Sequence, residues 1–85
     1  MARIIGEHCQ SGSGHLYMWV CEFVDLGGSL EIVVSVHLDK RRKVELRSCV
    51  AYDRKTASAG AAAAAAEHVK TLIEQTDFLA LAGRR

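Results

Sequence analysis

The sequence predicts one α+β domain over residues 1–85, ordered α-β-β-β-α, with a three-stranded antiparallel sheet packed on one face by the helices. Three observations carry this. Residues 16–25, 31–39 and 43–52 are rich in β-branched and aromatic types and alternate in period two. Short glycine-rich or charged turns separate them, which joins successive strands as antiparallel neighbours. A run of six alanines, Ala61 to Ala66, then sits inside a long stretch of helical spacing. Eighty-five residues suffice for a single core of two layers.

The first element is read as a short helix over residues 2–10 (ARIIGEHCQ). Ile4, Ile5 and Cys9 would lie toward one side of it, and Glu7 and Gln10 toward another. Ser11-Gly12-Ser13-Gly14 ends that element in a flexible loop.

In the first strand, 16–25, Tyr17, Trp19, Cys21 and Phe23 point one way, and Met18, Val20, Glu22 and Val24 the other. Leu26-Gly27-Gly28-Ser29 makes a hairpin turn. In the second strand, 31–39, Ile32, Val34, Val36 and Leu38 face inward, against Glu31, Val33, Ser35 and His37. Asp39 to Lys43 forms the next turn. The third strand, 43–52, sets Val44, Leu46, Ser48 and Val50 opposite Lys43, Glu45, Arg47 and Cys49.

The last helix is read over residues 54–75, with Asp53 as its N-cap. Its stripe of Ala57, Ala61, Ala65, Val69, Leu72 and Ile73 presents small side chains that let the helix axis approach the sheet closely. The tail, 76–85, either folds back through Phe78, Leu79 and Leu81 or frays.

Composition narrows the function. The four histidines have no metal-binding spacing to one another, and the sequence lacks a nucleophile elbow, a Walker loop and a dinucleotide fingerprint. The expectation is a protein that is no enzyme, with no cofactor, no metal and no small-molecule substrate. Cys9, Cys21 and Cys49 are too scattered for a zinc site and odd in number, so reduced thiols of an intracellular protein are expected. No apolar run is long enough to cross a membrane.

Binding is left. Lys40, Arg41 and Arg42, with Lys43, form one basic cluster, and Arg54 with Lys55 forms another. The meander places them at opposite ends of the sheet, so a ligand that reaches both must be extended, on the scale of a nucleic-acid duplex or a large protein surface.

The order of elements and the segment RKTASAGAA, Arg54 to Ala62, resemble the double-stranded RNA-binding domain family and its KKxAKxxAA signature. Arg54 and Lys55 match the first two basic positions, Ala57 the alanine, and Ala61-Ala62 the double alanine. The opening IIGEHCQ looks like the family's first helix. The resemblance implies binding of RNA duplex by shape rather than sequence, with helix 1 and the first hairpin loop in two minor grooves and the second helix start on phosphates. Glu7, Gln10, Gly27, Gly28, Arg54, Lys55 and Ser58 would be contacts, with Lys40, Arg41 and Arg42 adding phosphate attraction. The chain would then be part of a larger RNA-processing protein.

Ser58 stands where the signature has its third basic residue, and the first hairpin loop is short. These departures support an alternative, a fold of this kind used for protein–protein contact or as a homodimer. Its surface would comprise Met18, Val20, Val24 and Val33 on the open sheet face, with the Cys49 side of the third strand as a pairing edge.

Overall fold

A computed structural model describes residues 2–53, 55 and 60–83 of the chain. Four strands form a single antiparallel sheet in the order β1-β2-β3-β4: β1 Ala2–Cys9, β2 Leu16–Asp25, β3 Ser29–His37 and β4 Lys43–Ala51. Two helices follow, α1 Gly60–Gln75 and α2 Phe78–Gly83. The order α-β-β-β-α is therefore corrected. Residues 2–10 supply a fourth strand in place of a first helix, and the helices come only after the sheet.

The physical reason lies in β1 itself. Adjacent Ile4 and Ile5 fit a helical stripe and a strand equally well over so short a segment, Gly6 is poor in either, and β-branched isoleucine favours the strand. Pairing decides the matter. All eight residues of β1 lie opposite β2, from Ala2 against Phe23 to Cys9 against Leu16. A side chain at Gly6 would meet the Trp19 indole, so the glycine is what lets the ring lie across this strand.

The chain turns between β1 and β2 through Ser11-Gly12-Ser13-Gly14. The Gln10 N–H donates to the His15 carbonyl, and the Gly14 N–H donates back to the Gln10 carbonyl. Gly14 has φ +74°, in the left-handed region that glycine enters without penalty. Asp39 holds the β3–β4 turn, its Oδ1 accepting from the Arg41 and Arg42 N–H groups.

One face of the sheet forms the core. Tyr17, Trp19, Cys21 and Phe23 of β2 and Leu30, Ile32, Val34 and Val36 of β3 are buried. Ala65, Val69 and Ile73, one side chain per turn of α1, are sealed against them. Val69 and Ile73 each contribute on the order of 1.5–3 kcal/mol through burial. Phe78 closes the end of the core with its ring 4.8 Å from that of Tyr17. On β4, Val44, Leu46, Ser48 and Val50 are only half-buried. Ser48 Oγ and His68 Nε2 meet at 2.8 Å and join this strand to α1.

Element boundaries shift with these contacts. The strand expected over 31–39 is β3, which begins at Ser29 and ends at His37, and the one expected over 43–52 is β4, which ends at Ala51. The long helix is described over Gly60–Gln75, ending where the sequence places its end, and residues 54 and 56–59 lie outside the described residues. Asp53 Oδ1 accepts from the Lys55 N–H two residues on, and the stretch that joins this bond to Gly60 lies outside the described residues. Ala57 lies outside the described residues, as do Arg54 and Ser58.

Candidate interaction surface

The helices cover one side of the sheet and leave the other open. Strand alternation sends Arg3, Ile5, Glu7 and Cys9 of β1, and Leu16, Met18, Val20, Glu22 and Val24 of β2, to the open side. Glu31, Val33, Ser35 and His37 of β3 join them with Lys43, Glu45, Arg47 and Cys49 of β4. The register builds rows across this face: Glu7, Met18, His37 and Lys43; Ile5, Val20, Ser35 and Glu45; Arg3, Glu22, Val33 and Arg47.

Apolar exposure concentrates on the β1–β2 half. Ile5 is 65% exposed, Leu16 61% and Met18 53%, with half-buried Val20 between them. Ser35, His37, Lys43, Glu45 and Arg47 make the β3–β4 half polar, and Arg47 pairs there with Glu45 at 3.0 Å. A shallow groove between Val24 and Val33 is rimmed by Glu22, Glu31, Arg47 and Cys49. The face carries Arg3, Lys43 and Arg47 against Glu7, Glu22, Glu31 and Glu45, so both signs are present in near balance.

The two sheet edges differ as well. Because Gln10 bonds across to His15, the alternating antiparallel ladder turns the N–H and C=O groups of Ile4, Gly6 and His8 toward β2. Those of Arg3, Ile5, Glu7 and Cys9 point away from the sheet. On β4, the Leu38 N–H donates to the Arg42 carbonyl and the Tyr52 N–H to the Gly28 carbonyl, so Lys43, Glu45, Arg47, Cys49 and Ala51 hold the outward groups. The β4 edge thus sets three charged side chains beside its free backbone, a common defence against pairing. The β1 edge sets an exposed isoleucine at its centre.

The sequence-derived contacts scatter over this structure. Glu7 is exposed on the open face of β1 rather than on a helix. Gln10 is buried, and its Nε2 donates to the Ile73 carbonyl at 2.6 Å and the Thr76 carbonyl at 2.7 Å. It closes the C-terminal end of α1 where backbone carbonyls lack helical partners. Gly27 and Gly28 form the β2–β3 turn beside Tyr52 and Asp53. Lys40, Arg41 and Arg42 lie exposed in the β3–β4 turn, where Arg42 Nε binds Asp39 Oδ2 at 2.8 Å. Lys55 follows β4 at the opposite end, so it and the turn cluster are separated along the sheet.

Met18, Val20, Val24, Val33 and Cys49 do share the open face. Arg3, Ile5 and Leu16 belong with them and were not singled out from the sequence. The signal was present: Arg3, Ile5, Glu7 and Cys9 form a period-two row once residues 2–9 are read as a strand.

Among the described residues, no three of His, Cys, Asp or Glu converge to hold a metal ion, and no helix is long and apolar enough to cross a membrane. No family model matches the chain, and searches of curated proteins and of solved structures likewise find no match.

Proposed function

We propose that this chain is a self-associating protein module, in which a second copy docks at the β1–β2 side of the sheet that the helices leave open. The observation that carries this reading is the exposure of Ile5, Leu16 and Met18 together on the β1–β2 half of the open face. Contiguous apolar surface of this kind favours burial against protein. The near balance of acidic and basic side chains around it fits a copy of the same surface, since each sign finds its complement there.

The same features weigh against an RNA duplex as the ligand. The helix that the RNA-binding mode would insert in a minor groove is replaced by β1, and the Gln10 amide is committed to the end of α1. Four glutamates occupy the broad open face between the two basic ends, where phosphates would be repelled. Three unpaired cysteines fit an intracellular setting.

Molar mass by sedimentation over a wide concentration range tests the reading, alongside titration with generic RNA duplex at low and physiological salt. A mass that rises to that of two chains, with no duplex binding, supports it. A protein that stays monomeric at the highest concentration and binds duplex with steep salt dependence is instead an RNA-binding module.

A further inference from the structure

Building on self-association as the function, the geometry points to β1 as the pairing edge: we infer that two copies join β1 to β1 antiparallel about a two-fold axis at Ile5, making a continuous eight-stranded sheet. The outward backbone groups of β1 belong to Arg3, Ile5, Glu7 and Cys9 alone among residues 2–9. A two-fold ladder must therefore match odd residues with odd residues.

The side chains select among the registers this allows. Centring the axis on Glu7 sets two carboxylates face to face, which is unfavourable on a sheet surface. Moving the centre between Ile5 and Glu7 places each isoleucine against a glutamate. Centring it on Ile5 sets Ile5 against Ile5 and Arg3 against Glu7 of the other copy, twice by symmetry. Neither Arg3 nor Glu7 has an ion pair among the described residues, so both charges are free to meet this partner.

Neighbouring rows continue across the seam. Val20 and Ile5 of one copy would meet Ile5 and Val20 of the other, giving four apolar side chains in line. Arg3 would stand between Glu22 of its own sheet and Glu7 of the second copy. On the core side, Ile4 would lie opposite the second copy's Gly6, where the absent side chain leaves the Trp19 ring as its neighbour. The β4 edge offers no equivalent, because its arginine and glutamate already pair within one chain.

A charge exchange tests the register. Glu7→Arg alone and Arg3→Glu alone each set two like charges face to face and should raise the dimer dissociation constant about tenfold. The double variant Arg3→Glu with Glu7→Arg restores opposite pairs and should return dimerisation to within about twofold of the unaltered chain. Circular dichroism on each variant confirms that the sheet has formed. A dimer that ignores all three variants but dissociates on Met18→Lys overturns β1 pairing and leaves self-association through the open face standing. A chain that is monomeric throughout overturns both.

Discussion

The indole of Trp19 lies directly over Gly6: a Cβ placed on that glycine would stand 2.5 Å from Cζ2 and 2.9 Å from Cε2. The ring is only 4% exposed and sits within the core, so it has little room to withdraw. Gly6→Ala should therefore destabilise the fold by about 1–3 kcal/mol, the range for overpacking a closed interior. Urea unfolding followed by fluorescence of Trp19 measures this. An unchanged midpoint would mean that the ring does not cross β1 as described.

Gln10, just past the end of β1, ties the strand to the helices. Its carboxamide donates to the Ile73 and Thr76 carbonyls, while Ser13 Oγ donates to its Oε1 at 2.6 Å. Gln10→Ala removes the donors and leaves buried carbonyls unpaired, at a cost of about 1–3 kcal/mol. Amide hydrogen exchange should show the gain in opening concentrated in the last turn of α1 and in α2. A uniform loss of protection across the sheet would contradict a capping role.

Those two residues also mark where the sequence stopped being readable. In β2 and β3, apolar and polar residues alternate over long stretches, so the buried set from Tyr17 to Phe23 and from Ile32 to Val36 follows from period two. The helical stripe of Ala65, Val69 and Ile73 is equally plain, because its spacing fits only a helix. Residues 2–10 carry no such decision. Their identity as a strand depends on β2, a partner distant in sequence, and Gly6 reads locally as a weak helix position although it answers to Trp19. Gln10 reads as a surface amide for the same reason. Its acceptors are more than sixty residues away. The open-face row of Arg3, Ile5 and Glu7 was hidden with them, since a helix would scatter these side chains.

The cysteines give a prediction that depends on faces alone. Cys9 and Cys49 are exposed, whereas Cys21 is buried between sheet and helix. Burial, with a smaller effect from Glu22, pushes the Cys21 thiol upward and further lowers its thiolate fraction. A thiol reagent at neutral pH should label two cysteines per folded chain quickly and the third only on unfolding. Mass spectrometry of the labelled peptides identifies them, and early modification of Cys21 would refute its placement.

Glu74 makes stability depend on acid. The His8 side chain, then the Ser11 hydroxyl and N–H, donate to its carboxylate, and together they hold its pKa below the ordinary glutamate range. Its charged form is thus favoured by folding. The stabilisation is complete above the unfolded pKa of about 4.3 and is lost as pH falls through the lower folded value. Asp39, held down chiefly by the Arg41 N–H and the Arg42 side chain, acts in the same direction. Glu74→Gln should therefore lower stability near neutral pH while narrowing its difference from the unaltered protein in acid. Thermal unfolding from neutral to strongly acidic pH, with Asp39→Asn as a parallel variant, separates the two carboxylates. If the Glu74→Gln difference stays constant across that range, the bonds from His8 and Ser11 do not depend on the charge at Glu74.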